Sequence, residues 1–369
     1  MNYVQLKDVC VINMGQSPDS NSYNDCGEGL PFFQGNADFG EMYPVTRKWC
    51  SSPTKIASEN DILISVRAPI GALNYAKESC CIGRGLAALT PNKSKVSPAF
   101  IFWLLKSKNE ELNSKGTGST FKAIGRKVLE ETLIPNISLG EQIVCAKALE
   151  KIYYIMQTCQ QQLQKLDDLV KARFVEMFGE LHYNRHGFKI VSVEEVCTMV
   201  KDGTHQTPQY TTDDIHGFKF LSSKDVMSQK VDWKNIKYIS SELHEKLYST
   251  LKPQRDDILM SKNGVNYGVA AINDSDEVFD IYVSLALLRP KPIINPIYFR
   301  CVLNNPDTKE QFDSSIKGIG VPNLHLGEIK KTKILLPPIK LQNQFAAFVH
   351  QVDKSKVAVQ KSLDEAQLL

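Results

Sequence analysis

Two stretches of the chain place apolar residues at alternating spacings of three and four, the pattern of a helix that packs along one stripe. The first runs without proline from Leu139 to Phe178, about 40 residues or ~60 Å of helix. Its apolar stripe is Ile152, Met156, Cys159, Leu163, Leu166 and Val170. The second follows Pro337-Pro338, is shorter, and has the stripe Phe345, Phe348, Val352 and Val359, interrupted by Ser355. Two such helices at equivalent places favour packing on each other, although either stripe would also suit an amphipathic helix packed on its own domain.

Local signals mark the ends of the first helix. Ser138 and Glu141 have the spacing of a capping box, and Gly179 is a typical C-terminal stop. The next segment is polar and has no apolar period, so we interpret it as a linker. The predicted organisation is a first domain (1–137), a long helix (138–179), the linker (180–187), a second domain (188–338) and a shorter C-terminal helix (339–369).

Outside the long helices, short apolar runs alternate with loops rich in Gly, Ser, Asn and Pro. The pattern predicts buried strands in both domains. They are Leu30–Phe33, Ile62–Val66 and Leu86–Leu89, and then Phe218–Leu221, Ile258–Met260 and Leu285–Leu288. A helix is predicted after Pro98 and another after Pro296. Short strands mixed with helices indicate an α+β fold and not a regular βαβ array.

The two domains carry the same landmarks in the same order. Lys115-Gly116-Thr117-Gly118, Gly125, Pro135 and Gln142 recur 202 residues later as Lys317-Gly318-Ile319-Gly320, Gly327, Pro337 and Gln344. Asp61-Ile62-Leu63 recurs 196 residues later, and Val9-Cys10 recurs 187 residues later. The growing offset makes the second copy 15 residues longer. A period this long indicates a duplicated domain, and a duplicated domain suggests a target in two parts.

Composition excludes several classes of protein. No run of 18 apolar residues is present, so we expect no membrane span. The N-terminus lacks the pattern of a signal peptide. Nine cysteines without a CxxC pair predict reduced thiols in a cytoplasm, and neither a disulfide framework nor a structural zinc site.

The distribution of charge along the chain is more informative than the net charge of +3. Residues 93–127 hold eight Lys or Arg and two acids, and residues 317–340 hold five Lys and one acid. Basic patches at equivalent places in both copies suit contact with a polyanion. Two solvated surfaces would have the same composition, so charge alone does not decide.

Motifs for catalysis are missing. The sequence has no GxxxxGK[ST] loop, no GxGxxG, no Gly-x-Ser-x-Gly elbow, and no Asn-Pro-Pro-Tyr or Asp-Pro-Pro-Tyr. The pair His182 and His186 has no third metal ligand near it in the sequence. Pro306-Asp307 with Glu328-Ile329-Lys330 formally matches the PD…ExK pattern of metal-dependent nucleases. The first copy has Arg126-Lys127-Val128 at the place of Glu328-Ile329-Lys330, so we interpret the match as chance.

Taken together, these motifs resemble the specificity subunits of type I restriction-modification enzymes. The resemblance covers nearly the whole chain and rests on the order of several segments, repeated once. They are Leu6–Val9, Asp61–Gly71, Gly85–Leu89, the helix entry Ile334–Gln344, and the helix end Arg173–Gly179.

The resemblance implies two target recognition domains, each reading one half of a split DNA site. It implies that the two long helices pack as an antiparallel coiled coil, set the distance between the domains and dock two modification (methyltransferase) subunits. Restriction subunits join that core. S-adenosylmethionine, ATP and Mg²⁺ belong to those partners, and neither a cofactor, a metal nor a catalytic residue is expected in this chain.

Candidate DNA contacts come from the polar loops and the basic stretches, because Arg, Asn and Gln suit base edges and Lys suits phosphates. In the first copy they are Gln16, Ser17, Gln34, Asn36, Arg47, Lys48, Arg67, Arg84, Lys115, Lys122 and Arg126. In the second copy they are Thr204, His205, Gln206, Lys224, Lys262, Asn263, Asn266, Tyr267 and Lys317.

Two other interpretations stay open at the level of sequence. One is a nuclease or methyltransferase whose site the motifs do not reveal. The other is a coiled-coil scaffold that binds only protein partners.

Overall fold

A computed structural model describes residues 2–118, 122–211, 217–316 and 322–368. The chain divides into two compact units. The first unit is Met1–Thr158 with Glu365–Leu369, and the second unit is Cys159–Asp364. Each unit mixes helices with short strands, which confirms a mixed α/β chain with two domains. In the described part of the chain, no helix is both long and apolar enough to cross a membrane.

The first unit is built on short strands, several of them only two or three residues long. The strands are β1 (Tyr3–Gln5), β2 (Cys10–Met14), β3 (Tyr23–Asn24), β4 (Leu30–Phe33), β5 (Trp49–Cys50), β6 (Ile56–Ala57), β7 (Ile62–Ser65), β8 (Leu73–Tyr75), β9 (Cys80–Ile82), β10 (Leu86–Pro91) and β11 (Leu133–Pro135). The helices are α1 (Leu6–Val9), α2 (Pro98–Ser107), α3 (Asn109–Ser114) and α4 (Arg126–Glu130), before the long α5 (Leu139–Phe178). The described strands pair in the orders β2-β10-β7-β8, β3-β5-β4-β9-β6 and β1-β11.

The second unit repeats this plan. Its strands are β12 (Lys189–Ser192), β13 (Cys197–Asp202), β14 (Tyr210–Thr211), β15 (Phe218–Leu221), β16 (Lys237–Ile239), β17 (Ile258–Ser261), β18 (Ala270–Ile272), β19 (Phe279–Ile281), β20 (Leu285–Pro290) and β21 (Lys333–Leu336). Its helices are α6 (Val193–Val196), α7 (Ser241–Tyr248), α8 (Pro296–Leu303), α9 (Pro306–Ser315), α10 (Leu326–Lys331) and the long α11 (Ile339–Leu368). The described strands pair in the orders β13-β20-β17-β18, β14-β16-β15-β19 and β12-β21.

The central strand of each unit packs into hydrophobic cores on both of its faces. All residues of β7 and β17 are buried, and successive side chains on a strand point to opposite faces. In β7, Ile62 and Ile64 join the cluster under α2, whereas Leu63 joins the cluster formed with Phe33 and Ile82. In β17, Ile258 and Met260 alternate with Leu259 in the same way. The continuous apolar run in the sequence therefore marks a strand covered on both faces.

The structure corrects the alignment of the two copies after their last strands. The buried Gln142 side chain accepts from Ser97 N (2.8 Å) and donates to Ile137 O (2.9 Å). Gln342 does the same with Asn295 N (2.8 Å) and Pro337 O (2.7 Å). The counterpart of Gln142 is therefore Gln342, 200 residues later, and the predicted counterpart Gln344 is wrong.

Two other matches have the same offset of 200, Ile124 with Leu324 and Thr132 with Thr332. Ile124 N donates to Val66 O (2.9 Å), as Leu324 N donates to Lys262 O (2.8 Å). Leu6 N donates to Thr132 O (2.8 Å), as Val193 N donates to Thr332 O (3.0 Å). Pro337 thus corresponds to Ile137 and not to Pro135. The second copy is 13 residues longer between Leu6 and Gln142 and their matches, not 15.

We predict that Gln342→Leu lowers the free energy of unfolding by about 3 kcal/mol. The reason is that the Asn295 N–H and the Pro337 carbonyl lose their hydrogen-bond partner at the start of α11. The Gln342 side chain is fully buried, whereas Gln344 is exposed. Gln344→Leu is the matched control and should leave the urea unfolding curve unchanged. Equal loss in both variants would contradict the equivalence of Gln142 and Gln342.

The long helices differ in length and in which positions they bury. Helix α5 has 40 residues and α11 has 30. Along α5, Cys159 is buried, and Ile152, Met156, Leu163, Leu166 and Val170 are half-buried. Along α11, Phe345 and Val352 are buried, Phe348 and Val359 are half-buried, and Ser355 is exposed. Val349, Leu363 and Ala366, which the predicted stripe does not include, are also buried, so the apolar stripe extends to the end of α11.

Candidate nucleic-acid interface

A tight turn in the first unit gathers several of the predicted DNA contacts. The turn Gly83-Arg84-Gly85 joins β9 to β10, and the loop after β2 packs against it. Gln16 N donates to Ile82 O (3.0 Å), and Arg84 N donates to Ser17 Oγ (3.4 Å). Gly85 N donates to Gln34 O (3.1 Å). The structure therefore brings together Gln16, Ser17, Gln34 and Arg84, of which Gln16, Gln34 and Arg84 are exposed.

Glycine is required where the loop meets this turn. A Cβ on Gly15 would lie 2.2 Å from the carbonyl oxygen of Gly83, and one on Gly203 would lie 2.0 Å from that of Ile281. Such distances exclude a side chain because the opposing atom is backbone. The same close approach thus fixes the first polar loop in both units.

A second basic group lies beside this turn in the first unit. Val66 N donates to Gly85 O (2.9 Å), and Arg67 pairs with Ala123 as an isolated bridge. Ala68 N donates to Lys122 O (3.1 Å), so Arg67 and Lys122 lie on adjacent segments, and both are exposed. Arg67 and Lys122 are far apart in the sequence, but the fold places these two exposed cationic residues on adjacent segments.

The remaining predicted residues of the first unit lie apart from that turn or are engaged elsewhere. Asn36 begins a short 3₁₀ turn, Arg47 donates to Ala37 O (3.1 Å) beside it, and Lys48 is exposed on the neighbouring segment. Lys115 forms an ion pair with Glu111 (2.6 Å). Arg126 donates to Ile12 O and lies 3.4 Å from Glu130.

The second unit builds the same arrangement around residues 282–284. Thr204 N donates to Ile281 O (3.0 Å), and Val283 N donates to Thr204 O (3.0 Å). Thr204 Oγ1 accepts from Gln206 N (3.1 Å), which orders the start of the loop. Lys224 follows Ser223, whose N–H donates to Ser284 Oγ (3.0 Å). His205, Gln206 and Lys224 are exposed here.

The loop after β17 divides its predicted residues between surface and interior. Asn263 and Asn266 are exposed, and Asn263 pairs with Asn323 as an isolated bridge. Lys262 and Tyr267 are buried, so in this structure neither side chain faces solvent. The Tyr267 hydroxyl donates to Asp313. Lys317 lies outside the described residues.

Asp202, which sequence analysis did not select, holds Lys262 in place. Lys262 Nζ lies 2.8 Å from Asp202 Oδ2, and His205 Nε2 lies 3.4 Å from the same oxygen. Burial would raise the pKa of Asp202, but the hydrogen bond and charge of Lys262 outweigh it and hold that pKa below its usual range. A partial signal was available in the sequence: at the offset of 196 that matches Asp61-Ile62-Leu63, the apolar Val66 aligns with the charged Lys262.

The nuclease-like pattern does not form a cluster of ligands. Asp307 Oδ2 accepts from Leu181 N (2.6 Å), and Glu328 lies 3.7 Å from Lys331. Across residues 2–118, 122–211, 217–316 and 322–368, no group of three or more His, Cys, Asp or Glu side chains is placed to hold a metal ion. All nine cysteines are free thiols.

Comparison with known proteins agrees with the duplicated architecture. The chain matches the family model of the type I restriction modification DNA specificity domain over residues 1–167 and again over residues 186–366. It is 43% identical over 160 residues to the putative type I restriction enzyme MjaX specificity subunit of Methanocaldococcus jannaschii, a match covering 43% of this chain and 38% of that relative. It is 20% identical over 396 residues to the EcoBI specificity subunit of Escherichia coli, covering 98% of this chain and 81% of that relative.

A solved structure supports the fold over the full length. The type I restriction-modification S subunit from M. genitalium has a TM-score of 0.58 and 15% identity, covering 100% of this chain and 93% of the other. Two matches to one family model, one in each repeat, account for most of the sequence. The chain therefore belongs to the family of type I restriction-modification DNA specificity subunits.

Proposed function

We propose that each of the two units reads one half of a bipartite DNA site. The observation that carries this proposal is a shared backbone frame that presents different side chains. The bonds Gln16 N to Ile82 O and Thr204 N to Ile281 O are both 3.0 Å. Beside them, Ser17 and Arg84 of the first unit correspond to His205 and Val283 of the second. Two readers built alike, with different surfaces, suit a site whose halves differ in sequence.

The chemistry of the exposed loops supports contact with base edges and with the backbone of DNA. Arginine binds guanine through two hydrogen bonds, and Asn or Gln can do the same with adenine. Lysine on phosphate sets the position of the protein without reading sequence. In the first unit we assign base contacts to Gln16, Gln34 and Arg84, and phosphate contact to Lys122.

The long helices are proposed to pack as an antiparallel coiled coil. Contacts within the second unit support this. Phe174 of α5 meets Phe345 of α11 with ring centroids 5.6 Å apart, and Asp167 forms an ion pair with Lys356. The contact nearer the start of α5, at Asp167, is the one nearer the end of α11, at Lys356, as antiparallel helices require.

We further propose that α5 docks methyltransferase subunits, joined by restriction subunits, and that those partners bring S-adenosylmethionine, ATP and Mg²⁺. The support is an exposed apolar surface on the first half of α5. Ile143, Val144, Tyr154 and Ile155 are 48%, 68%, 40% and 50% exposed. Apolar side chains grouped on one helix are typical of a surface that a protein partner covers.

Selection from a random duplex library tests the reading of a split site. The full chain, with its modification subunits, should enrich DNA carrying two short conserved blocks at a constant separation. Enrichment of one continuous block, or of no sequence, would contradict the proposal. The scaffold interpretation, in which the chain binds protein alone, predicts no enrichment.

A second experiment separates this role from that of a nuclease or methyltransferase. The purified chain, given Mg²⁺ and S-adenosylmethionine, is expected neither to cut nor to methylate DNA. Activity that Glu328→Ala removed would favour the nuclease interpretation instead.

A further inference from the structure

The second unit holds an ion pair between a buried lysine and a half-buried aspartate, beside the loops proposed to read DNA. The Lys262 side chain is 7% exposed, and its ammonium lies 2.8 Å from Asp202. The same carboxylate reaches the His205 side chain, which is 77% exposed, at 3.4 Å. Asp202 therefore links the loop at 203–206 to the loop that begins at Lys262.

The first unit has the same backbone at this place but no charge. Met14 pairs with Ala87 in the sheet as Asp202 pairs with Ala286. Val66 N donates to Gly85 O as Lys262 N donates to Ser284 O. Val66 is buried in the core, and Met14 packs against that core. The frame thus accepts an apolar pair as well as a charged one.

Stability alone does not account for the charged pair. Removing the lysine charge from water costs free energy that can exceed what the ion pair returns, and apolar residues of similar volume are often as stable or more so. The first unit shows that the apolar solution fits this frame. What the charged pair adds is orientation, because the hydrogen bond from Lys262 fixes the carboxylate that lies 3.4 Å from His205.

We propose that Asp202 is a positioning residue that sets the specificity of the second half-site, acting through His205 and the loop after Lys262. This inference rests on the proposed function, in which these loops read DNA. Asp202 contacts His205 directly and contacts Lys262, the residue before the exposed Asn263, so one carboxylate positions the starts of both loops. Without the carboxylate, both loops keep their backbone anchors at Ile281 and Ser284 but lose the link between them.

The test replaces the charged pair by the pair found in the first unit. The double variant Asp202→Met with Lys262→Val, in the full chain with its modification subunits, is used to select DNA from a random duplex library. We expect unfolding temperatures near that of the wild type. We also expect about a tenfold loss of base discrimination in the second half-site, and no change in the first. Asp202→Asn, which keeps the shape and removes the charge, should lose discrimination at the same base positions.

A matched control removes a carboxylate from an exposed ion pair of the same unit. Asp276 pairs with Arg255 at 2.6 Å, and their side chains are 78% and 49% exposed. Asp276→Asn should leave both half-sites unchanged. A wild-type motif selected by a folded double variant would overturn the inference while leaving the proposed function intact. Failure of the wild type itself to select a split site would overturn the proposed function, and this inference with it.

Discussion

Lengthening both long helices by one heptad should increase the spacer between the two half-sites by about three base pairs, since seven residues add ~10.5 Å and a turn of DNA covers ~34–36 Å. We propose duplicating residues 163–169 of α5 and 353–359 of α11. These segments contain the Asp167–Lys356 pair, so the inserted turns repeat the observed contact. Binding to the original site should fall steeply, because the second reader would meet a different face of the duplex.

The measurement is a selection of duplexes in which only the spacer length varies. A matched control inserts seven residues after Arg185, in the turn segment between α5 and β12, where neither helix is lengthened. That control should select the original spacer. An unchanged spacer in the helix variant would show that the helices do not set the distance between half-sites.

Arg84→Ala should weaken binding to the first half-site by about 10- to 100-fold and relax the base preference at one position, because one bidentate arginine contact contributes ~1–3 kcal/mol of discrimination. Arg84 is exposed at the tip of the turn that gathers Gln16, Ser17 and Gln34. Titration of duplexes altered in one half at a time measures the effect, and the second half-site serves as internal reference.

Lys147→Ala is the matched control for that titration. Lys147 is also exposed in the first unit, but it belongs to α5 and not to the polar loops. Its loss should leave base preference as it is. If Arg84→Ala changed affinity equally for every sequence, Arg84 would contact phosphate and not a base.

Strand and helix positions followed closely from the sequence where one periodicity dominates. Helix α5 spans Leu139–Phe178, the range predicted from the absence of proline and the apolar stripe. The strands at Ile62 and Ile258 also lie where apolar runs predicted them. These elements were accessible because burial of one stripe, or of both faces of a strand, constrains many successive residues.

Equivalence between the copies was harder to predict near their ends. Gly, Pro and Gln are common enough to coincide at 202, whereas the hydrogen bonds of Gln142 and Gln342 select 200. Matching residue types do not identify the equivalent glutamine there, because its role depends on its hydrogen-bond partners in the fold and not on its neighbours in the sequence.

The sequence by itself determined that this protein is a duplicated α+β chain with two unequal long helices. Hydrophobic periodicity predicts the helices and strands, and the repeated landmarks reveal the duplication. Only the tertiary structure decided which polar residues face solvent. Lys262 and Asn263 are adjacent and equally polar, yet one is buried against Asp202 and the other is exposed. The physical reason is that the partner of Lys262 lies 60 residues away along the chain, and folding alone brings the two charges to 2.8 Å.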